Sequence, residues 1–141
     1  MNKYMSVNVI FAKFSRDYMA TKKYLPIRPS EMGVLNILTR CEGDFTPMKL
    51  AETLGVSKPM VTAHINVLLK KGYVRKEPSP DDKRSFYVRP TEKAIALADE
   101  AEAKQTEYIK AVEERLGEKD FAALTELMEK AQVVLGEMID R

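Results

Sequence analysis

Residues 46–93 read TPMKLAETLGVSKPMVTAHINVLLKKGYVRKEPSPDDKRSFYVRPTEK, and this stretch decides the fold. Thr46 followed by Pro47 predicts a helix start, because a Thr side chain caps a helix and proline fits its first turn. Gly55 ends this short helix over 47–53, and Ser57 can cap a second helix that runs to Gly72. Two helices joined by so short a turn predict a helix-turn-helix, whose second helix enters the DNA major groove. The second helix repeats apolar residues at helical spacing: Val61, Ile65, Leu68 and Leu69.

A basic hairpin is predicted directly after the second helix. Residues 73–76 and 85–89 are rich in β-branched and aromatic residues, which favour strands. The PSPDD segment between them, at 78–82, is typical of a turn. The loop ends in Lys83 and Arg84, and arginine suits the narrow, electronegative minor groove of DNA. The predicted fold class is therefore mostly α with a small β-hairpin wing, a winged helix-turn-helix with further helices around it.

Charge is unevenly distributed along the chain, which carries a formal net charge of +2 over 141 residues. Residues 57–93 contain nine Lys or Arg against four Asp or Glu, whereas residues 94–141 contain six against twelve. A polyanion would bind the first of these segments, so double-stranded DNA is a predicted partner. The alternative is an interaction or architectural module without a defined operator, but a winged helix that contacts only protein needs no basic wing.

The outward face of the second helix predicts how it would recognise DNA. If its apolar residues turn inward, a helical step of about 100° per residue places Pro59, Ala63 and Asn66 on the opposite face. Ala63 could contact only thymine methyl groups and Asn66 could bind adenine through two hydrogen bonds, so we expect an A/T-rich operator. A solvated Asn66 without a DNA role is the alternative, and the lysines nearby are predicted to contact phosphates. The predicted DNA-binding residues are Thr46, Lys49, Ser57, Lys58, Pro59, Met60, Thr62, Ala63, Asn66, Lys70, Asp82, Lys83 and Arg84.

Several segments resemble the multiple-antibiotic-resistance regulator (MarR) family of bacterial transcription factors. DKRS at 82–85 is similar to the family's D-x-R-S wing, and PTEKA at 90–94 to the L-T-E-K-G start of its next helix. GY at 72–73 and LGVS at 54–57 also match. Arg28, in contrast, stands where Ser or Thr commonly caps the helix that precedes the helix-turn-helix in this family. The resemblance implies that Asp82 orients Arg84 toward the minor groove. It also implies a homodimeric regulator, usually a repressor, that binds a palindromic operator and is released by a small molecule.

Two further apolar stripes lie in predicted helices at the ends of the chain. Each stripe could pack within one monomer or against a second copy, and the resemblance implies that the first and last helices interlock with those of a partner subunit. We therefore expect a single domain over 1–141, with a DNA-binding lobe at 28–93 and dimerisation helices at 1–24 and 94–141. The predicted dimerisation residues are Val7, Phe11, Phe14, Tyr18, Phe121, Leu124, Leu127, Met128 and Leu135.

The composition argues against several other kinds of protein. Cys41 and His64 are the only residues of their types, so no intramolecular disulfide or Cys/His zinc site can form, and we predict no cofactor. The chain has no catalytic constellation, so an enzyme is not expected. It has no apolar stretch of membrane-spanning length and no signal sequence, so a cytoplasmic protein is expected. The resembling proteins bind small aromatic acids beside the dimer helices, which makes Arg16, Tyr18, Met32 and Tyr108 candidates for effector contact, although each fits an ordinary core or surface position equally well.

Overall fold

Side-chain caps set where four of the helices begin, the first through Asn2, whose Oδ1 accepts the Met5 backbone N–H at 2.9 Å. In the computed structural model, which describes residues 1–139, the side chains of Thr46, Ser57 and Thr91 each accept a backbone N–H three residues later, at 3.2, 3.3 and 3.4 Å. Gly55, between the third and fourth helices, has a φ of 69°, the left-handed conformation that favours glycine. The helices are α1 Lys3–Ala20, α2 Pro29–Arg40, α3 Pro47–Leu54, α4 Lys58–Lys70, α5 Glu92–Leu116 and α6 Glu118–Met138, and the strands are β1 Val74–Pro78 and β2 Phe86–Pro90.

β1 and β2 form the predicted wing, a two-stranded antiparallel hairpin. Both strands begin one residue later than the sequence indicated, and β1 continues to Pro78, which the sequence placed in the turn. Tyr73 stays out of the strand because its backbone N–H donates to the Leu68 carbonyl at 2.9 Å. Pro78 pairs with Phe86 at the end of the ladder, where a missing N–H is tolerated. β1 is therefore extended toward the loop relative to the prediction, whereas β2 is shifted by one residue away from it.

One hydrophobic core lies between α2, α3, α4, the wing and the beginning of α5. The wing is fastened to the loop before α3, because the Val88 backbone N–H donates to the Phe45 carbonyl at 2.8 Å. α5 enters the core through Ala94, Ala98 and Ala101, whose small side chains allow close approach. The sequence grouped everything from residue 94 onward with the dimerisation helices, but the packing joins the start of α5 to the DNA-binding lobe. The core residues on the other elements include Val34, Leu35, Leu38, Leu50, Val61, Ile65, Leu68 and Tyr73.

α2 begins at Pro29. Arg28 precedes it and has no acceptor with which to cap a backbone N–H. Glu31 compensates from inside the helix, because its Oε1 accepts the Arg28 backbone N–H at 2.9 Å. This carboxylate is largely shielded from solvent, with Glu31 only 3% exposed.

The two terminal helices contribute no buried residue to the chain. The predicted stripe on α1 faces solvent, with Phe11 55% exposed, so packing within one monomer does not cover it. On α6, Phe121 and Leu124 are half-buried in the contact with α5, whereas Leu127 lies in solvent. The lobe thus has its own core, while long apolar faces of α1 and α6 remain open.

Candidate nucleic-acid interface

α4 buries one face and presents the other to solvent. Val61, Ile65 and Leu68 are buried, as the helical spacing predicted. Lys58 and Lys70 of this helix can therefore contact a ligand while the apolar face stays in the core. The predicted DNA-facing residues of the helix are all exposed: Lys58, Pro59, Met60, Thr62, Ala63, Asn66 and Lys70.

A groove of about 500 Å³, the wing groove, separates α4 from the hairpin. Sequence reasoning did not select Lys76 or Phe86, which also line it; the Lys76 Nζ lies 4.6 Å from the centroid of the Phe86 ring. The basic character of segment 57–93 was a signal for Lys76, but only the strand register places it on this wall. The groove brings together these predicted DNA-binding residues: Thr46, Lys58, Thr62, Asn66, Asp82 and Arg84.

Asp82 shapes the wing loop through the backbone. Its Oδ1 accepts the Arg84 backbone N–H at 2.9 Å, and its carbonyl accepts the Ser85 backbone N–H at 3.1 Å. The contact with the guanidinium is longer, with 3.9 Å between Arg84 Nε and Asp82 Oδ1, and the Arg84 side chain is 96% exposed. The carboxylate therefore fixes the backbone from which Arg84 projects more than it holds the guanidinium itself.

Ala63 lies on the side of α4 that faces away from the wing. With His64 and Val67 it lines a second groove, the α2 groove, of about 430 Å³ beside the start of α2. Asn66 instead borders the wing groove. A helical wheel places both residues on one outward face but cannot show which neighbouring element flanks each side. The outward face is thus a ridge between two grooves.

Other predicted DNA-binding residues have structural roles or lie apart from the two grooves. The Ser57 hydroxyl is occupied by its cap at the start of α4. The Lys49 Nζ donates to the Asp44 carbonyl at 3.4 Å and lies 4.9 Å from the Phe45 ring centroid. The Lys49 ammonium group thus already has two partners within the protein. The remaining residues are exposed and line neither groove: Pro59, Met60, Lys70 and Lys83.

Arg89 fastens the wing to the lobe, a role that the sequence did not reveal. Its guanidinium contacts Asp44 at 2.7 Å and Glu77 at 2.6 Å. The hydrogen bond to Asp44, followed by that to Glu77, raises the pKa of Arg89 above its ordinary value. Because Arg89 is engaged by two carboxylates, it is a structural cation of the wing, in contrast to the outward Arg84.

A crevice of about 510 Å³ opens between the end of α1, α2 and α5. Of the four candidate effector contacts, Tyr18 and Met32 line it, whereas Arg16 and Tyr108 do not. Arg40 also lines the crevice and pairs with Asp99 at 2.9 Å and with Glu102 at 2.8 Å. Tyr24 and Gln105, which sequence reasoning missed, belong to the polar part of its wall. They come from elements distant in sequence, so no local pattern marks them.

Within residues 1–139 no group of three or more His, Cys, Asp or Glu side chains could hold a metal ion. Cys41 is exposed and forms no disulfide. None of the helices in this described part of the chain is both long and apolar enough to cross a bilayer.

Residues 25–85, from the loop before α2 to the wing loop, match the family model described as the MarR family. Over 61 residues the chain is 34% identical to the multiple antibiotic resistance protein MarR of Salmonella typhimurium, which is 43% of this chain and 42% of that protein. The chain thus spans less than half the length of this relative in the alignment. The match confirms the resemblance that the wing and helix-start segments indicated.

Solved structures show the same architecture over almost the whole chain. The crystal structure of Streptococcus pneumoniae FabT in complex with DNA is similar with a TM-score of 0.83, at 17% identity over 97% of this chain and 100% of that one. A mutant MarR from E. coli complexed with operator DNA gives a TM-score of 0.74, at 23% identity over 92% of this chain and 94% of that one. At these identities the likeness concerns the fold, and it confirms the predicted winged helix with flanking helices.

Proposed function

We propose that the protein, whose residues 25–85 match the family model described as the MarR family, is a homodimeric transcription repressor that binds a palindromic DNA operator. The observation that carries this proposal is the wing groove, where Lys58, Asn66 and Arg84 converge from α4 and the wing loop. Cations and an amide on an exposed helix are suited to phosphates and base edges. The function is binding, without a catalysed reaction.

The two parts of the interface have different tasks in this proposal. α4 enters the major groove, where Asn66 and Thr62 reach base edges and Lys70 contacts phosphate. The exposed Arg84 enters the adjacent minor groove from the wing loop. Asp82 positions Arg84 through the backbone hydrogen bond at 2.9 Å. Phosphate contacts supply affinity, and the base and minor-groove contacts supply specificity.

The open faces of α1 and α6 support a homodimer. Monomeric proteins rarely leave contiguous apolar surfaces of this kind in water, whereas obligate dimers bury them. A two-fold dimer presents two copies of α4, so its operator consists of two inverted half-sites about 34 Å, or a multiple of that distance, apart. The exposed apolar residues of the two helices include Val7, Ile10, Phe11, Phe14, Tyr18, Leu127, Met128, Leu135 and Met138.

The test is selection of bound sequences from a random double-stranded library, with light scattering on the same preparation. We expect a dimer and an A/T-rich palindrome with half-sites one helical turn, or a multiple of it, apart. A dimer that enriches no palindrome would replace the operator-binding function with that of an architectural DNA-binding module. If the protein retains no more duplex than a sample without protein, DNA binding itself is refuted.

The crevice beside α1 supports a small aromatic acid as the effector. Tyr18, Tyr24 and Met32 offer ring and thioether surface, and Arg40 offers a cation for a carboxylate. An acid bound there would compete with Asp99 and Glu102 for Arg40, and so loosen the contact between α2 and α5. Benzoate should therefore weaken operator binding.

The effector is tested by titrating benzoate into the operator complex. We expect release in the original protein and in Arg115→Gln, a control on α5 outside the crevice, but a weaker response in Arg40→Gln. An equal response in both variants would remove Arg40 from the site. The absence of any response at millimolar benzoate would exclude this class of effector.

A further inference from the structure

The α2 groove is distinct from the wing groove and lies on the opposite side of α4. Ala63 and Val67 form its α4 wall, and Arg28 and Lys71 bring positive charge to its rim. His64 completes the wall from a half-buried position. None of these cations belongs to the wing, so the ridge of α4 has positive charge on both sides.

The major groove is bounded by a phosphate backbone on each side. Because the groove is about 12 Å wide, a helix that enters it lies close to both backbones. The wing lies toward one of these backbones. We propose that Arg28, assisted by Lys71, binds the phosphates of the other backbone, on the side of α4 away from the wing. This inference rests on the proposed DNA-binding function and adds a second backbone contact to it.

The position of Arg28 is unfavourable for α2 itself. A residue that precedes a helix normally offers an acceptor to the first N–H groups, and a cation there opposes the positive end of the helix dipole. Glu31 repairs the helix start by accepting the Arg28 backbone N–H at 2.9 Å. The Arg28 guanidinium is exposed and forms no ion pair with any residue in 1–139. Helix stability therefore does not explain this cation, whereas an external anion does.

The other charged groups of the α2 groove leave Arg28 as the main contact. Glu31 is buried, and its carboxylate accepts the Arg28 backbone N–H at the start of α2. This carboxylate is therefore engaged by the backbone at the helix start and does not pair with the Arg28 guanidinium. Lys71 Nζ donates to the Pro26 carbonyl at 3.2 Å, which holds its charge at the groove. The Lys71 ammonium, held at the groove, and the exposed Arg28 guanidinium are both suited to phosphate oxygens.

Arg28→Ser separates the proposed role from a structural one. Serine supplies the missing cap, so the thermal midpoint should rise, while operator affinity falls. Each lost phosphate contact reduces the slope of log affinity against log salt by about 0.9, and the dimer loses two, so the slope should fall by about 1.8. At 0.1 M salt, relative to 1 M, each contact accounts for roughly eightfold in affinity. Arg28→Lys should retain most of the slope, and Lys71→Met, which keeps the aliphatic stem, should lower it.

The control is Lys110→Ala, which removes an exposed positive charge from α5, away from both grooves. If Arg28→Ser binds the selected operator with the original salt slope, or changes it no more than Lys110→Ala does, the inference is wrong. Failure of the original protein to bind any operator would instead refute the proposed function. The two failures are thus distinguishable.

Phosphate ethylation interference on the operator then locates the contact. Arg28→Ser should lose interference at phosphates on one side of each half-site, and Arg84→Ala should lose it at the wing side. Loss at the same phosphates in both variants would place Arg28 on the wing side and overturn the inference.

Discussion

Arg84→Ala removes an exposed cation of the wing groove, and the structure separates its effects on folding and on binding. The Arg84 side chain is 96% exposed, and its ionic contact with Asp82 spans 3.9 Å. Exposed pairs of this kind contribute about 0–1 kcal/mol to stability. The free energy of unfolding should therefore change by less than about 0.5 kcal/mol, as for other surface substitutions.

Binding should respond far more strongly. A specific arginine contact to DNA is worth about 1–3 kcal/mol, and the proposed dimer makes two such contacts on a palindrome, so operator binding should weaken by about 2–6 kcal/mol. Since about 1.4 kcal/mol corresponds to a factor of ten, the dissociation constant should rise at least about 25-fold. Asp82→Ala should give a smaller defect, because it removes the backbone hydrogen bond that positions Arg84 and leaves the cation in place.

Fluorescence anisotropy on the selected operator, at several salt concentrations, measures the loss of operator affinity. Thermal unfolding measures the change in stability. Arg115→Ala serves as the control, because it removes the same side chain from the far end of α5. A variant that binds as tightly as the control would refute the role of Arg84 in the minor groove. A variant that unfolds at a clearly lower temperature would reassign Arg84 to the stability of the wing.

The dimer, the bases and the wing each allow a further test. Phe11→Glu should convert the dimer to a monomer in light scattering, because it places a charge on the open face of α1, whereas Lys13→Glu should not; a dimer that survives Phe11→Glu would contradict the proposed interface. Asn66→Ala should relax the preference for one adenine in each half-site by about 1–3 kcal/mol in competition binding. Lys70→Ala should weaken specific and random DNA alike and lower the salt slope by about 1.8, because the dimer loses two phosphate contacts; equal effects of the two would argue against base contact by Asn66. Arg89→Met should lower the free energy of unfolding by about 0.5–2 kcal/mol, since it removes two partly exposed ion pairs. The pKa of Arg89 is raised in the folded state, so its ion pairs contribute fully to stability below the unfolded pKa of Arg89 and are lost only in strong alkali. The loss of unfolding free energy in Arg89→Met, measured by urea unfolding, should therefore be constant from pH 6 to pH 9. A loss that disappears within that range would contradict the ion pairs.

Sequence patterns predicted those parts of the site that depend on neighbours along the chain. Asp82 and Arg84 are two residues apart, so their association in the wing loop needed no knowledge of the rest of the fold. The strand limits were less accurate, because the backbone bond between Tyr73 and Leu68 competes with strand pairing. Arg89 escaped prediction because Asp44, one of its two partners, lies in the loop before α3.

By itself, the sequence determined the elements and the inward sides of the two helices of the helix-turn-helix. Caps such as Thr46 and Ser57 and apolar spacing act within a few residues, so a linear pattern contains them. Tertiary structure alone decided what flanks the outward face of α4: Asn66 borders the wing, while Ala63 borders α2 and Arg28. It also decided that the start of α5 joins the lobe while α1 stays open. These outcomes depend on which distant elements pack together, and that is set by the shape of the whole core, which no local pattern specifies.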